Sequence, residues 1–208
     1  MYPETLYPKT KQILDQLADF PLLLKFYLAG GTALALQLGH RKSSDLDWFT
    51  ADFPNIDYLL QQLRSYNPTV VEVSPGSLDL LMNETKVSFS EYTYPLLQDL
   101  VKFSHFQMAN VTDLACMKIT AISSRSSKKD FVDLFTILKT HSLEELLTAF
   151  AVKYKGADYN KMHILKSLIY FEDADTDPDP DFMQPMNWEF IKTALQEKVT
   201  QITQDILK

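Results

Sequence analysis

Residues 26–50 read FYLAGGTALALQLGHRKSSDLDWFT and contain the most informative pattern of the chain. The short apolar run 26–29 ends at a glycine pair, which is typical of a buried strand followed by a sharp turn. Thr32 is placed to cap a short apolar helix, and Gly39 stands where the end of that helix needs a left-handed residue. Residues 45–50 predict a second strand. The stretch therefore predicts a strand, a glycine turn, a helix and a strand.

Gly30 and Gly31 are two of only five glycines in the chain. Between a strand and a helix, such a pair lets the backbone come close to a ligand, and the helix that follows presents free N–H groups and the positive end of its dipole. Together with the Thr32 hydroxyl, the pair predicts a cradle for a phosphate. A tight turn without a ligand is the alternative interpretation of the glycines alone.

Asp45 and Asp47 stand two residues apart on the second predicted strand, so their side chains point to the same side, opposite Leu46 and Trp48. Two neighbouring carboxylates repel each other. A divalent cation relieves that repulsion, and oxygen ligands suit Mg²⁺. A solvated Asp-x-Asp at the start of a strand is the alternative.

The residues on either side of this stretch predict helices. From residue 69 the apolar pattern changes from helical spacing to that of β-strands. Apolar residues at helical spacing predict helices over 9–24 and 55–66. β-prone segments with turns at Pro75-Gly76 and Asn83-Glu84 predict strands over 69–73, 78–81, 86–89 and 106–109. From residue 112 onward the predicted helices cover 112–125, 128–140, 143–154, 160–171 and 187–207.

This order of elements predicts an α+β protein, in which a mixed sheet flanked by helices is followed by a helical C-terminal half. We place the boundary near residue 110, with an α/β domain over 1–110 and a helical domain over 111–208. No Gly/Ser linker separates the two. We therefore expect them to share a core.

The composition is that of a folded globular protein, since 46% of the 208 residues are apolar. The single cysteine, Cys116, excludes a disulfide framework and a multi-cysteine metal site, and its apolar neighbours predict that it is buried. No apolar run is long enough for a transmembrane helix, and the first residues do not resemble a signal peptide. We expect a cytoplasmic protein without membrane contact.

The net charge of −7 is concentrated in one segment. Residues 172–181 read EDADTDPDPD and hold six of the 27 acidic residues, so the remaining 21 nearly balance the 20 Lys and Arg. We interpret this segment as a solvated, flexible loop. Docking to a basic partner or mimicry of nucleic acid are alternatives. Net charge therefore does not exclude a cleft that binds phosphate.

A second group of charged residues lies on the predicted helices after residue 112. Lys118 shares its helix face with apolar or small residues, and Arg125 follows seven residues later on the same face. Such a lysine either covers the edge of the core or reaches a negatively charged ligand. Lys129 and Asp133 have the i, i+4 spacing of a surface ion pair.

Two motifs in this order resemble a known family. Residues 26–34 (FYLAGGTAL) and 40–47 (HRKSSDLD) resemble the opening of the AbiEii/AbiGii-type toxin nucleotidyltransferases, a branch of the DNA polymerase beta-like nucleotidyltransferase superfamily. Residues 118–134 (KITAISSRSSKKDFVDL) resemble the second signature of that branch. The resemblance covers about residues 10–140.

The resemblance implies a bacterial toxin that transfers a nucleotide from an NTP to an acceptor with loss of pyrophosphate, within a toxin–antitoxin or phage-defence system. It implies Mg²⁺ or Mn²⁺ as cofactor, an RNA such as tRNA as acceptor and an antitoxin protein as partner. The catalytic residues that it implies are Asp45, Asp47, Lys118 and Asp130, with Asp45 and Asp47 as metal ligands. The nucleotide-binding residues that it implies are Gly30, Gly31, Thr32, Arg41, Ser44 and Arg125.

Within this assignment Lys118 contacts phosphates, and Asp130 orients or deprotonates the acceptor hydroxyl. Arg41 and Lys118 supply positive charge to the developing transition state, which suits a reaction that depends on positioning and charge neutralisation. His40, beside Arg41, is a further candidate for a phosphate contact, with a polar loop residue as the alternative. We expect the two domains to share the active-site cleft.

One position departs from the pattern of the superfamily. Members usually place a third carboxylate on a later strand, where this chain has Ser88. Asp79, on the neighbouring predicted strand, is a candidate substitute. Without a third acid, we expect one metal ion or an impaired enzyme. The alternative function is therefore a nucleotide-binding or protein-interaction module that has lost turnover.

Overall fold

The first half of the chain supplies the strands of a mixed sheet. In this computed structural model, which describes residues 1–206 and their side chains as far as residue 204, the strands are β1 Tyr27–Leu28, β2 Leu46–Thr50, β3 Thr69–Ser74, β4 Ser77–Met82, β5 Thr85–Glu91, β6 Val101–Phe103 and β7 Phe106–Met108. Within those residues the sheet has seven strands in the order β3-β4-β5-β2-β1-β7-β6. β2 runs parallel to β5 and β1 parallel to β7, whereas the other neighbours are antiparallel.

Helices flank this sheet and make up the second half. The α-helices are α1 Pro8–Leu17, α2 Gly30–Leu38, α3 Ile56–Leu63, α4 Val111–Arg125, α5 Lys128–Ile137, α6 Leu143–Lys153, α7 Lys161–Ser167, α8 Glu172–Thr176 and α9 Trp188–Ile206. Short 3₁₀ helices cover Pro3–Thr5, Pro21–Lys25 and Arg64–Tyr66. The predicted α+β fold, a mixed sheet flanked by helices and followed by a helical half, is confirmed.

The chain divides into two compact units, Met1–Asn110 and Val111–Lys208. The first unit holds the sheet with α1 to α3, and the second holds α4 to α9. Between residues 1 and 206, no helix is both long enough and apolar enough to cross a membrane.

One face of the sheet is buried and apolar. Side-chain alternation places Leu46 and Trp48 of β2 beside Val87 and Phe89 of β5, and all four residues are fully buried. The ring of Phe20 packs edge-on against Phe89. Because burying a large apolar side chain contributes about 1.5–3 kcal/mol, this face fixes the register of β2 against β5. The intervening residues of both strands must then point to the opposite, polar face.

The predicted helix over 9–24 is wrong in its second half. α1 ends at Leu17, and Pro21–Lys25 forms a separate 3₁₀ turn. Phe20 has an extended backbone (φ −78°, ψ 111°), because the residue before a proline is disfavoured in the helical region.

The expected capping role of Thr32 is also wrong, whereas that of Gly39 is confirmed. α2 begins at Gly30 with Ala29 as its N-cap, so Thr32 lies inside the helix. Gly30 adopts φ +64°, a conformation open to glycine, which lets the helix start directly after β1. Gly39 ends the helix in the left-handed region, and its N–H donates to the carbonyl of Ala35 at 2.9 Å.

Smaller differences concern the ends of elements. β6 was not predicted, because three residues carry too little alternation to be recognised. α5 ends at Ile137 and α7 at Ser167, several residues before the predicted ends. The last residue of the final predicted helix, Leu207, lies outside the described residues.

The acidic segment 172–181 is not the free loop that we expected. Its first half forms α8, and the Asp177 carboxylate accepts hydrogen bonds at 2.9 Å from the Lys128 backbone N–H and the Ser127 hydroxyl. Lys128 Nζ donates to the Asp177 carbonyl at 2.6 Å and to Asp179 at 3.1 Å. The segment is anchored because the first turn of α5 offers unpaired N–H groups and a positive dipole end to its carboxylate.

The second unit buries charges as well as apolar groups. Phe131, Phe171 and Trp188 form an aromatic cluster. The side chains of Lys153 and Asp113 are both fully buried and are joined by a 2.7 Å ion pair between α6 and α4. Such a pair stabilises its unit only while both partners are present, since either charge alone would be stranded out of water.

Candidate functional site

The glycine pair at the start of α2 makes room for two charged groups. A Cβ atom on Gly30 would overlap the carboxylate of Asp47, and a Cβ on Gly31 would overlap the guanidinium of Arg41. Both glycines leave room for these two groups where they lie, and Gly30 also adopts a positive φ that favours glycine. The result places one anionic and one cationic side chain against the first turn of a helix.

Thr32 ties the following loop to α2. Its side chain is buried, and its hydroxyl donates a hydrogen bond to the Asp45 backbone carbonyl and lies 2.8 Å from the Ser43 hydroxyl. These bonds hold the residues before β2 close to the helix. The structure shows that Thr32 attaches the residues before β2 to α2. A direct contact between Thr32 and a phosphate stays a prediction.

The loop that carries Arg41 and Ser44 is held in place at several points. Arg41 is almost fully buried, and one of its guanidinium nitrogens donates to the Lys42 carbonyl at 2.9 Å. Ser44 is exposed and its hydroxyl donates to the Asp45 carboxylate at 3.0 Å. His40, beside them, is 4% exposed. The loop thus orients a guanidinium and a carboxylate through its own hydrogen bonds.

Asp45 and Asp47 lie at the polar face of the sheet, as the alternation predicted. Asp47 belongs to β2 and Asp45 immediately precedes it, and both are half-buried, whereas Leu46 and Trp48 are fully buried on the other side.

The neighbours of Asp47 across the sheet are a serine and, one strand further, another aspartate. Asp47 is in register with Ser88 of β5, and Ser88 is in register with Asp79 of β4. Neighbouring strands lie about 4.8 Å apart, so the backbones of Asp47 and Asp79 are separated by roughly 10 Å. Asp79 forms a 2.9 Å ion pair with Lys86. The polar face therefore carries the predicted aspartate pair, Ser88 and a Lys–Asp pair.

In the second unit, the charged residues of the later motif form one network. Lys118 Nζ lies 2.8 Å from Asp130 and 2.6 Å from Asp133, and all three side chains are buried. Arg125 contacts both oxygens of Asp130, through Nε at 2.8 Å and Nη2 at 3.1 Å. The surface pair that spacing suggested for Lys129 and Asp133 is wrong. Asp133 instead faces the interior and pairs with Lys118.

The electrostatic environment of Asp130 keeps it ionised. Burial alone would raise the pKa of Asp130, but the nearby charge of Lys118 and the hydrogen bonds and charge of Arg125 outweigh burial, so the pKa is lowered. Both of its oxygens accept hydrogen bonds. A carboxylate in this state is well suited to hold Lys118 and Arg125 in position and poorly suited to accept a proton.

The sequence matches the family described as "Nucleotidyl transferase AbiEii toxin, Type IV TA system" over residues 12–66 and 58–202, which together span most of the chain. The chain belongs to this AbiEii nucleotidyltransferase toxin family. A relative in Aquifex aeolicus (strain VF5), the uncharacterized protein aq_aa25, is 36% identical over 196 residues, which are 91% of this chain and 93% of the relative.

Solved structures share the fold of this AbiEii-family chain. JHP933 from Helicobacter pylori aligns with a TM-score of 0.54 and 18% identity over 94% of this chain and 89% of its own. MenT4, a nucleotidyltransferase toxin of Mycobacterium tuberculosis H37Rv, aligns with a TM-score of 0.55 and 15% identity over 90% and 82%. The antibiotic-resistance factor ANT(2'')-Ia gives 0.53 and 13% over 69% and 91%. The seven-stranded sheet with its flanking helices is therefore a nucleotidyltransferase fold.

The divalent ion that the AbiEii family implies fits Asp45 and Asp47. Carboxylate oxygens suit Mg²⁺ or Mn²⁺, and the missing side chain of Gly30 leaves the Asp47 carboxylate its place at the start of α2. Among the described residues, no group of three or more His, Cys, Asp or Glu side chains is placed to bind a metal ion. A bound ion would therefore take its remaining ligands from water and phosphate oxygens, as Mg²⁺ commonly does.

Sequence reasoning missed the contacts of two charged residues, of which Asp133 belongs to the second family motif and Lys86 lies on β5, outside both motifs. Asp133 was assigned to the surface because its spacing from Lys129 allowed a local pair, although its position one turn after Asp130 placed it on the same helix face. No role was predicted for Lys86, which lies on the short predicted strand 86–89. Its two-residue spacing from Ser88 was the available signal, because residues i and i+2 of a strand share a face.

Proposed function

We propose that this protein is a metal-dependent nucleotidyltransferase, the toxin component of a toxin–antitoxin or phage-defence system, which transfers a nucleotide from an NTP to an acceptor. The observation that carries the proposal is the glycine pair at the first turn of α2. Because neither glycine has a side chain, the Asp47 carboxylate and the Arg41 guanidinium can lie against that turn. A carboxylate for a metal ion and a cation for phosphate, side by side at a helix N-terminus, suit the polyphosphate of a nucleotide.

In the proposed reaction an acceptor oxygen forms a bond to the α-phosphorus of the NTP. The bond from that phosphorus to the pyrophosphate oxygen breaks, pyrophosphate leaves with the electron pair, and the acceptor proton passes to water. A divalent ion bound by Asp45 and Asp47 would neutralise phosphate charge and orient the phosphates.

The protein's own groups then position the nucleotide. The backbone around Gly31 offers the first N–H groups of α2 to phosphate oxygens, and Arg41 adds a positive charge held by the loop. Ser44 orients Asp45 through its hydrogen bond. Thr32 keeps this loop on the helix.

For the second motif we propose a division of roles. Lys118 and Arg125 supply positive charge to the phosphates, and Asp130 and Asp133 hold the lysine in place through the ion pairs described above. This makes Asp130 a positioning residue. The lowered pKa of Asp130 argues against its use as the base for the acceptor hydroxyl.

We propose an RNA such as tRNA as acceptor and an antitoxin protein as partner, in the bacterial cytoplasm. Membership of the AbiEii toxin family supports the antitoxin partner, and the RNA acceptor is what the resemblance of the two motifs implies. The near-neutral balance of charges outside the acidic segment is compatible with local binding of a folded RNA end and does not favour extended binding along a duplex.

A second candidate function is nucleotide binding without transfer. The observation that favours it is Ser88, which stands beside Asp47 in the sheet where superfamily members usually carry a third carboxylate. In this case the first motif binds an NTP but the acceptor is not activated.

Incubation of the purified protein with each α-³²P-labelled NTP, Mg²⁺ or Mn²⁺ and total bacterial RNA separates the two candidates. The transferase predicts label on RNA that disappears in Asp45→Ala. The binding module predicts NTP binding that is weakened in Asp45→Ala, with no label on RNA from either protein. The transferase proposal fails if no label reaches RNA and Asp45→Ala leaves growth toxicity unchanged.

A further inference from the structure

Lys86 shares the polar face of the sheet with the aspartate pair. It lies two residues before Ser88 on β5, so the two side chains point to the same face. Ser88 is in register with Asp47 on one side and with Asp79 on the other. The Lys86 ammonium ends 2.9 Å from an Asp79 oxygen, and about half of the lysine side chain is exposed. A cation therefore stands beside the proposed metal ligands, in reach of a ligand from solution.

The surroundings of Lys86 keep it protonated. The hydrogen bond to Asp79 raises the pKa of Lys86, burial opposes this, and the charges of Asp79, Asp47 and Asp45 raise it further. A lysine with a raised pKa does not accept a proton at neutral pH. It is a fixed positive charge and a hydrogen-bond donor.

The charges of this face balance with one divalent ion. Asp45, Asp47, Asp79 and Glu72, which is in register with Asp79, carry four negative charges, and Lys86 and the Arg41 guanidinium at Gly31 carry two positive charges, which leaves two negative charges for a metal ion to neutralise. A second metal ion would need another carboxylate next to Asp47, and Ser88 occupies that place. It would also have to approach the Lys86 ammonium, which repels it.

We propose that Lys86 is the second cation of the transfer site. One divalent ion at Asp45 and Asp47 and the Lys86 ammonium together supply the charge that two metal ions supply where a third carboxylate is present. This inference rests on the proposed function and deepens it. As the acceptor oxygen bonds to the α-phosphorus and pyrophosphate leaves, Lys86 donates a hydrogen bond to a non-bridging α-phosphate oxygen and keeps its own proton throughout. Asp79 holds the ammonium in position.

The number of bound metal ions tests this inference without relying on turnover. Mn²⁺ is titrated into the protein with each of the four α,β-methylene NTPs, and bound ions are counted by electron paramagnetic resonance. We expect one Mn²⁺ per chain in the native protein and two in the double variant Lys86→Met, Ser88→Asp, which removes the repelling charge and adds the carboxylate. Two ions or none in the native protein, or one in the double variant, would overturn the inference.

Transfer assays give the second readout. Lys86→Met should slow nucleotide transfer about 10²–10³-fold, the usual loss for one preorganised charge-stabilising group, and Lys86→Arg should retain most of the rate. Lys102→Met is the matched control, because Lys102 is an exposed lysine of the same sheet that lies on β6 at the far edge. Equal rates in Lys86→Met and Lys102→Met would refute the role of Lys86. If the native protein transfers no nucleotide, the proposed function fails, and the Mn²⁺ count still tests whether Lys86 and Ser88 together restrict the site to one metal ion.

Discussion

The aspartate pair of β2 and the charged cluster of α4 and α5 belong to the same family pattern, yet they hold their charges in different ways. Asp45 and Asp47 are half-buried on a polar sheet face, and the glycine pair clears space beside them. Lys118 and Asp130, in contrast, are buried and already neutralise each other. The first region keeps its carboxylates half-buried and within reach of a cation from solution, whereas the second buries its carboxylates against its own cations.

This difference predicts different responses to mutation. Removal of Asp45 or Asp47 changes a half-buried group that stays in contact with water, so stability should change little while metal binding is lost. Removal of one member of the buried cluster strands its partner without water, so stability should fall together with function.

Lys118→Met should lower the free energy of unfolding by about 3–5 kcal/mol, because the substitution leaves Asp130 and Asp133 buried without their lysine. Urea denaturation followed by circular dichroism measures this loss. Lys153→Met is the matched control, since it strands Asp113 in the same unit but outside the family motif. Both variants should lose stability, and at a temperature where both remain folded only Lys118→Met should lose nucleotide transfer. A change below 1 kcal/mol in Lys118→Met would contradict the contrast.

Asp47→Asn should slow nucleotide transfer at least about a hundredfold, equivalent to about 2.7 kcal/mol of activation free energy, while the melting temperature changes little because the side chain is only half-buried. The physical reason is that the amide keeps the shape of the side chain but loses the charge that holds the metal ion. Asp57→Asn, an exposed aspartate in the first turn of α3, is the control and should change neither quantity appreciably. A strongly destabilised Asp47→Asn would mean that the β2 region is also held together by its charges.

Asp177→Ala should lower the free energy of unfolding by about 1 kcal/mol, the usual cost of losing a side chain that accepts from the first N–H groups of a helix. Asp179→Ala should cost less than about 0.5 kcal/mol, because Asp179 is largely exposed where it pairs with Lys128. Thermal melting of the two variants distinguishes an anchored acidic segment from a free one. Equal and negligible effects would favour the free loop.

The pH dependence of stability gives the smallest effect. The lowered pKa of Asp130 means that its ionised form is favoured in the folded state, so its stabilisation is fully present above the unfolded value near 3.8 and is lost as the pH falls through the folded-state pKa. Arg125→Met should therefore be less stable than the native protein by at most about 1 kcal/mol at pH 7, since Arg125 is mostly exposed. This difference should shrink in urea titrations below pH 4. A difference that stays constant over the whole acid range in which Asp130 becomes protonated would show that Arg125 acts through something other than the charge of Asp130.

Patterns within short segments of sequence were enough to predict the main strands and helices of the fold. The alternation of Leu46, Trp48, Val87 and Phe89 gave the strands because a sheet with one buried face imposes a period of two. Gly39 marked the end of α2 because its left-handed conformation has few alternatives. Both properties belong to a residue and its near neighbours in the chain.

Features that depend on pairing between distant segments could not be predicted in this way. The anchoring of Asp177 at the start of α5 joins residues about fifty positions apart, and nothing in the acidic composition of its segment points to that partner. The placement of Lys86 beside Asp79 required the register of β4 against β5. The aspartate pair and Arg41 of the candidate site were predicted from sequence, whereas the placement of Lys86 required the tertiary structure.

Cys116 has a practical consequence. It is the one cysteine of the chain, it is fully buried, and burial raises the pKa of its thiol to about 12. Thiol reagents react with the thiolate, so Cys116 of the native protein should react very slowly with maleimides and methanethiosulfonates at neutral pH. A cysteine introduced on the surface would then be the only position labelled, without prior removal of the native one. Spin labels or fluorophores placed in this way, one in each unit, would report on motion during turnover against a clean background.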